Sequence, residues 1–190
     1  VTRFIEKVNF FVFIYFDFFS GILYNVFAFL TGYVFSGRRP AAIGGKSPSG
    51  REKNMDYKII YENWISSEYL CPEGVAELKK IADDENAIKD AFGAELEFGT
   101  AGMRGIIGYG TNRMNVYTVR RATKGLADFI KSKGKSAMQR GVAISYDTRN
   151  KSELFARAAA GVLLYNDIKV YVYPEPRPVP MLSYAVRNLD

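Results

Sequence analysis

Apolar residues recur every three or four positions in several stretches after residue 55, and this spacing predicts amphipathic helices. The predicted helices cover residues 57–70, a segment that begins at Pro72, residues 84–92, residues 116–133, a segment that begins at Asn150, and residues 181–189. Shorter apolar runs predict strands at 95–98, 141–147 and 169–173. Asn115 is suited to cap the fourth helix and Gly134 to end it. Asn150 and Glu153 have the spacing of a capping box.

The order of these elements predicts an α/β fold. A helix separates the strands predicted at 141–147 and 169–173, and this strand–helix–strand order predicts that the two strands are parallel. The proline-rich segment 174–180 cannot form regular structure throughout, so it is predicted to be a stiff loop.

The first 54 residues have a different composition. Ten of the fourteen phenylalanines lie in the first 35 residues, and the apolar stretch 10–35 is long enough to cross a bilayer. Asp17 and Asn25 interrupt it, and no cleavage site of small residues follows. We interpret residues 1–54 as an apolar segment and a Gly/Ser/Pro-rich linker. In the favoured interpretation, the translation start has been assigned too far upstream and the protein begins at Met55. In the alternative, residues 1–54 form a membrane anchor. Residues 55–190 are the predicted globular domain.

Charge and composition exclude several classes of function. The net charge of +6 is concentrated in the first 54 residues, so the globular part lacks the basic stripe of a nucleic-acid-binding protein. The chain contains no histidine, which excludes a Ser-His-Asp triad and histidine-ligated zinc. Its single cysteine, Cys71, excludes disulfides within the chain and suits a reducing compartment.

The segment ELEFGTAGMRGIIGYG, residues 95–110, contains five glycines. Glycine costs backbone entropy, so its repetition indicates that the chain turns or approaches another group closely. Thr100 and Arg104 are the strong hydrogen-bonding side chains between Gly99 and Gly105, and arginine binds phosphates and carboxylates bidentately. The segment is either an anion-contacting loop or an ordinary turn that carries a surface arginine.

A second arginine follows the strand predicted at 141–147. The carboxyl ends of parallel strands are where open α/β sheets bind ligands. Arg149 therefore either shares a site with Arg104 or, together with Asp147, caps the helix that follows.

Four motifs, in order, resemble the N-terminal part of the α-D-phosphohexomutases. They are FGTAGMRG, NRMN, GVAISYDTRNKS and PEPRPVPMLSYAVR, and the resemblance covers residues 57–190. The most similar branch contains phosphoglucomutases and phosphopentomutases. The resemblance implies a three-layer αβα arrangement with a mixed, partly parallel sheet, the incomplete first domain of a phosphohexomutase, preceded by N-terminal helices.

The resemblance also implies a reaction. Members of this family transfer a phosphoryl group between the 1- and 6-positions of a hexose, or the 1- and 5-positions of a pentose. A phosphoserine donates the group and a sugar bisphosphate forms and reorients, while Mg²⁺ is held by the serine phosphate and aspartates. The implied protein is cytoplasmic and acts on a phosphosugar, without nucleic acid or membrane as partner.

The family motifs suggest substrate-binding roles for Arg104, Thr100, Gly102 and Arg149. The serine loop and the aspartate-rich magnesium loop of the family are absent from this sequence. We therefore expect the phosphoserine beyond Asp190, the Mg²⁺ ligands outside this chain, and no catalytic or metal-binding residue within it. The chain alone is expected to be inactive.

Two other classes of function stay open. One is a membrane-tethered phosphate-binding module, which requires residues 10–35 to be translated and inserted. The other is a non-catalytic interaction module built on the same fold. The sequence does not distinguish hexose from pentose substrates.

Overall fold

The computed structural model describes residues 13–15, 57–99, 102–186 and 188. The strands of the described residues are β1 (Phe13–Tyr15), β2 (Phe98–Gly99), β3 (Gly102–Met103), β4 (Val142–Ser145) and β5 (Val170–Val172). The helices are α1 (Tyr57–Ile65), α2 (Pro72–Lys79), α3 (Glu85–Phe92), α4 (Val116–Ser132), α5 (Lys135–Arg140), α6 (Ser152–Tyr165) and α7 (Val179–Val186).

Helices α1 to α3 form a helical unit, residues 57–92, with its own apolar cluster. Phe92 is fully buried at its centre, and its ring meets the rings of Tyr61 and Trp64 edge-on, with centroids 5.7 and 5.6 Å away. The predicted start of α2 at Pro72 is confirmed. The predicted extension of α1 to residue 70 is wrong. The helix ends at Ile65, and from the Ser67 amide onward the backbone bonds span three residues, from Ser67 to Trp64 and from Leu70 to Ser67, which are turns.

Helix α4 begins as the sequence predicts. The Asn115 side chain caps it by accepting hydrogen bonds from the amides of Tyr117 and Thr118. The helix ends at Ser132, just before Gly134, which has a positive φ of 90°. The short helix α5 follows at once and was not predicted, because six residues are too few to show helical periodicity.

The predicted parallel pair is confirmed. Strand β4 pairs with β5 in parallel, with Val142 opposite Val170, and β1 pairs with β4 antiparallel, so the described sheet is mixed. Residues 1–54 lie outside the described residues except for β1, whose three residues belong to the apolar stretch 10–35. The linker and the start at Met55 lie outside them entirely, and all three interpretations of this region stay predictions. Within the part of the chain that is described, no helix combines the length and apolarity needed to cross a membrane.

The main core cluster lies between β4 and the long helices. Val142 and Ile144 are buried in it, together with residues of α4 and α6. Ala143, which alternates with them along the strand, packs instead with Leu182 of α7. The buried members of the main core cluster from the helices are Val119, Leu126, Ala127, Ile130, Ala137, Phe155, Ala156, Ala159, Ala160 and Leu163.

Two predicted boundaries at the carboxyl end of the sheet are wrong. Helix α6 does not begin with a capping box of Asn150 and Glu153. Its cap position is Lys151, whose φ of 61° is left-handed, and Glu153 pairs with Arg157 along the helix. Helix α7 begins at Val179, inside the segment predicted to be a loop, because proline is tolerated in the first turn of a helix.

Truncation of the aromatic side chain at the centre of the helical unit should destabilise the protein. We expect Phe92→Ala to lower the free energy of unfolding by roughly 3–5 kcal/mol, since it removes a fully buried ring and leaves a cavity. Tyr165→Ala is the matched control, because that ring is 89% exposed. Urea unfolding of both variants checks this, and equal effects of the two substitutions would contradict it.

Candidate functional site

The glycine-rich segment contains a small antiparallel pair. Strands β2 and β3 pair with Gly99 opposite Gly102, so the strand predicted at 95–98 is confined to Phe98 and its neighbour. Arg104 follows β3 directly and is exposed, between neighbours that are partly buried. Thr100 lies outside the described residues.

Contacts within the protein account for two of the glycines. At Gly105, an added Cβ would lie 2.5 Å from Cδ1 of Leu96, which is buried. At Gly110, the backbone has a φ of 135°, and a Cβ would lie 2.5 Å from the carbonyl oxygen of Ala91. The close approach that the sequence indicates is therefore, at these two positions, an approach to the protein's own interior.

The Asn115 side chain connects the glycine-rich segment to helix α4. Its amide group donates hydrogen bonds to the carbonyl oxygens of Gly108, Gly110 and Arg113, at 2.9, 3.0 and 3.2 Å. Its carbonyl oxygen caps α4. Asn115 is only 5% exposed, so these bonds are sheltered from water.

Main-chain bonds continue this support toward Arg104. The Met114 amide donates to the Ile106 carbonyl at 2.8 Å, and the Gly108 amide donates to the Met114 carbonyl at 3.2 Å. Residues 106–108 are thus fixed against a segment that ends at the α4 cap. The backbone just after Arg104 is therefore fixed, while the Arg104 side chain is exposed.

The helical unit supports the same segment from outside. The Asn112 amide donates to the Ala91 carbonyl at 2.9 Å, and Arg113 forms an ion pair with Asp90. The Arg113 side chain is 13% exposed, which marks it as a structural arginine. The Tyr109 amide donates to Oε1 of Glu77 at 3.3 Å.

Cys71 lies where the helical unit meets the glycine-rich segment. Its Sγ lies 3.1 Å from the hydroxyl of Tyr109, and its amide donates to the hydroxyl of Tyr117. Burial raises the pKa of the Cys71 thiol, but the hydrogen bonds to these tyrosines and to the helix backbone outweigh it, and the net shift is downward. The same contact with Cys71, together with burial, raises the pKa of Tyr109.

The turn after β4 is organised around Asp147. Its Oδ2 accepts from Nε of Arg149 at 2.6 Å, and its Oδ1 accepts from the Ser152 hydroxyl at 2.5 Å and from the Arg149 amide at 3.1 Å. The aspartate thus joins the turn to the first residue of α6. The helix-capping interpretation of this motif is wrong: Asp147 bonds the Ser152 hydroxyl and not a backbone amide of α6, and the cap position of the helix makes no side-chain cap bond.

Hydrogen bonds lower the pKa of this carboxylate. Burial raises the pKa of Asp147, but the hydrogen bonds from Arg149 and Ser152 outweigh burial, so the net pKa is lowered. The carboxylate is charged at neutral pH and holds the Arg149 guanidinium in place. Arg149 remains 30% exposed, so its pairing with Asp147 leaves it accessible to solvent.

Both predicted arginines lie next to the main core cluster. Met103 and Ile107, on either side of Arg104, pack against that cluster, and Tyr146, which precedes Asp147, belongs to it. Gly102 lies in β3, where it pairs with its partner glycine. Arg104 follows β3 and Arg149 follows β4, and a site shared by the two arginines stays a prediction.

Sequence reasoning missed a third arginine. Arg177 follows β5 and forms an ion pair with Glu175, with NH2 2.9 Å from Oε2. Its amide donates to the Tyr146 carbonyl at 3.0 Å, so it lies beside the turn after β4. The available signal was an arginine between two prolines directly after a predicted parallel strand.

Comparison with known proteins gives a consistent set of similarities. The family described as "Phosphoglucomutase/phosphomannomutase, alpha/beta/alpha domain I" matches residues 95–190. A mouse phosphopentomutase is 33% identical over 153 residues, which is 75% of this chain and 24% of that protein. A probable phosphoribomutase of Schizosaccharomyces pombe is 37% identical over 108 residues, which is 57% of this chain and 18% of that protein.

A bacterial protein shows the same similarity. A phosphoglucomutase of Staphylococcus epidermidis is 39% identical over 119 residues, which is 56% of this chain and 21% of that protein. The chain spans a quarter or less of the length of the curated relatives it matches. No solved structure matches it significantly.

The lowered pKa of Asp147 predicts a dependence of stability on pH. A carboxyl group whose pKa is lower in the folded state stabilises the protein above its unfolded pKa of about 3.9, and this contribution is lost as the pH falls through the folded pKa. We expect Asp147→Asn to be less stable than the native chain at pH 7, by on the order of 1 kcal/mol or less because the side chain is 41% exposed. The difference should be smaller at pH 2 than at pH 7.

Urea unfolding at both pH values measures this difference. Asp128→Asn is the matched control, because Asp128 is an exposed carboxylate that pairs with Lys124 along α4. A stability difference for Asp147→Asn that persists unchanged at low pH would show that charge does not carry the effect.

Proposed function

The chain belongs to the phosphoglucomutase/phosphomannomutase family, and on that basis we propose that it works within a phospho-sugar mutase. Such an enzyme moves a phosphoryl group between the 1- and 6-positions of a hexose, or the 1- and 5-positions of a pentose. The position of the family match carries this proposal. Residues 95–190 contain the glycine-rich segment, the turn after β4 and the loop after β5.

The names of the relatives support a phosphosugar substrate but divide between sugars. Two are named for pentose or ribose chemistry and one for glucose. The proposal therefore extends to phosphorylated sugars as a class, and the assay below must include both. We also propose a cytoplasmic enzyme that does not use nucleic acid or a membrane as its partner.

Arg104 is proposed to bind a phosphoryl oxygen of the substrate. Its guanidinium is exposed, while the residues after it are held by the Ile106, Gly108 and Met114 backbone bonds. A charged donor on a prearranged backbone stabilises charge that develops during transfer, without reorganisation at the moment of reaction. Thr100 and Gly102 are proposed to line the same site, by the family motif.

Arg149 is proposed to bind the same substrate from the carboxyl end of β4. Asp147 fixes one edge of its guanidinium through Nε and NH2. An arginine held in this way keeps its planar fork oriented, so less side-chain freedom is lost when an anion binds. Asp147 is therefore a positioning residue in this proposal.

The covalent step is proposed to occur on residues outside this sequence. The resemblance implies a phosphoserine, a sugar bisphosphate and Mg²⁺. No group of three or more Cys, Asp or Glu side chains among the described residues could hold a metal ion. The carboxylates at the carboxyl end of the sheet, Asp147 and Glu175, pair with arginines. No step on this chain is therefore assigned to Mg²⁺.

A three-layer arrangement is part of the same proposal. Successive residues of β4 alternate between two surroundings, because Ile144 packs with α4 and α6 while Ala143 packs with α7. This alternation supports helices on both faces of the sheet.

The proposed reaction is tested with the protein in its natural length. Purified protein is incubated separately with glucose 1-phosphate and ribose 1-phosphate, and the 6- or 5-phosphate formed is followed by phosphorus NMR. We expect turnover of at least one of them. The 190-residue chain alone, assayed in parallel, should give none. Failure of the natural-length protein to convert either sugar phosphate would overturn the proposal.

Substitution of Arg104 separates a phosphoryl contact from a surface charge. We expect Arg104→Ala to lower turnover by roughly 10²–10³, the usual size for loss of one prearranged contact to a transition state. Arg104→Lys keeps the charge but loses the planar fork, so its turnover should also fall, though by less. Stability should change little because the side chain is exposed.

The control for this prediction is Arg120→Ala, which removes an exposed arginine from α4 with the same change of charge. Kinetics and melting temperature are measured for all three variants. Normal turnover in Arg104→Ala would contradict the phosphoryl contact, and so would a loss of turnover that accompanies unfolding. The glycine-rich segment would then be an ordinary turn.

A further inference from the structure

The loop after β5 is held firmly against the end of β4. The Tyr173 amide donates to the Ile144 carbonyl at 3.2 Å, and the Arg177 amide donates to the Tyr146 carbonyl at 3.0 Å. Two side chains of the β4 segment return hydrogen bonds, since the Ser145 hydroxyl donates to the Arg177 carbonyl and the Tyr146 hydroxyl to the Pro174 carbonyl. Prolines at 174, 176 and 178 restrict the backbone further. The backbone of Arg177 is therefore fixed before any ligand binds.

The Arg177 side chain is also held in place. Its NH1 donates to the Pro176 carbonyl at 3.1 Å, and its NH2 pairs with Glu175. The side chain is 35% exposed, close to the 30% of Arg149, whereas Arg157 on the surface of α6 is 74% exposed. Arg149 and Arg177 share this arrangement, in which each is partly sheltered and oriented by a carboxylate of its own turn.

The two arginines lie on neighbouring turns. The Tyr146 carbonyl that accepts the Arg177 amide belongs to the residue just before Asp147, so the turns after β4 and β5 touch. This end of the sheet therefore carries two guanidinium groups, each partly neutralised by a carboxylate of its own turn. Helices α6 and α7 also begin here, and their N-terminal ends carry partial positive charge.

The charged side chains of these two turns leave one net positive charge. Asp147 and Glu175 each pair with one arginine, and Lys151 adds a further exposed positive charge. The carboxyl end of a parallel strand pair is the position at which open α/β sheets bind ligands. A phosphate fits two such arginines because guanidinium groups make charge-assisted hydrogen bonds to its oxygens. Each guanidinium carries five N–H donors, of which two are used in the bonds to Asp147 on Arg149 and to Pro176 and Glu175 on Arg177.

We propose that Arg177 is a phosphate-binding residue and that, with Arg149, it binds one phosphate group at the carboxyl end of the β4–β5 pair. The identity of the ligand as a phosphosugar rests on the proposed function. The binding of phosphate itself rests on the geometry of the two turns.

The test measures phosphate binding by the 190-residue chain. Inorganic phosphate, glucose 1-phosphate and ribose 5-phosphate are titrated separately by calorimetry at constant ionic strength. We expect Arg177→Gln to weaken binding roughly 10- to 100-fold, as for loss of a charge-assisted contact. Arg177→Lys should retain part of the affinity. The native fold should survive, because the bonds that fix the loop come from the Arg177 backbone.

Arg140→Gln is the matched control. Arg140 is exposed at the end of α5, just before β4, so it lies at the opposite end of the same strand and carries the same charge. Its substitution should leave phosphate affinity unchanged. Amide spectra of each variant confirm that the fold is retained, and signals of residues 146–152 and 173–178 should shift when phosphate is added to the native chain.

The outcomes separate this proposal from the mutase proposal. Unchanged affinity in a folded Arg177→Gln variant, an equal loss in Arg140→Gln, or no phosphate binding by the native chain overturns the phosphate site. Phosphate binding that depends on Arg177, in a natural-length protein without mutase activity, supports the site and overturns the mutase. Tighter binding of the sugar phosphates than of inorganic phosphate identifies a phosphosugar as the ligand, and equal binding identifies free phosphate.

Discussion

One buried side chain, that of Asn115, makes five hydrogen bonds that organise the glycine-rich region. Asn115 donates to three carbonyl oxygens of residues 108–113 and accepts from the first turn of α4, so one amide sets both the loop and the helix. No other amino-acid side chain of this size offers two donors and an acceptor in this geometry. The support of Arg104 depends on this arrangement, because Met114, the residue just before Asn115, forms the backbone hydrogen bonds to Ile106 and Gly108.

The parts of the fold that could be predicted are those with local signals. The run 142–146 is apolar except for Ser145 and lies between Gly141 and Asp147, and β4 was found within it. The cap at Asn115 lies next to the helix it begins. The start of α6 could not be predicted, because the group that binds its first residue is Asp147, five positions earlier. Pairing of β1 with β4 joins residues about 130 positions apart, and no local pattern indicates such a partner.

The candidate site was predictable to a similar degree. Arg104 and Arg149 stand out because each lies in a segment whose residue types are unusual for a packed core. The glycines were read correctly as points of close approach, but the group approached by Gly110 is the Ala91 carbonyl, which only the folded chain brings near. Arg177 was missed because the surrounding prolines suggested a connection without a role, and its contact with Tyr146 is a tertiary one.

The helical unit has an apolar cluster separate from the main core cluster. Polar contacts such as the Arg113–Asp90 pair and the Asn112–Ala91 bond join it to the glycine-rich segment, and the rings of Tyr109 and Tyr117 pack against the helical cluster. Such a division favours sub-global opening, in which the helices detach while the sheet stays folded. Amide hydrogens of α1–α3 and of residues 108–112 would then exchange with solvent as one cooperative group. A molecule that binds only the helices would then reduce this opening, and with it the motion of the residues that support Arg104.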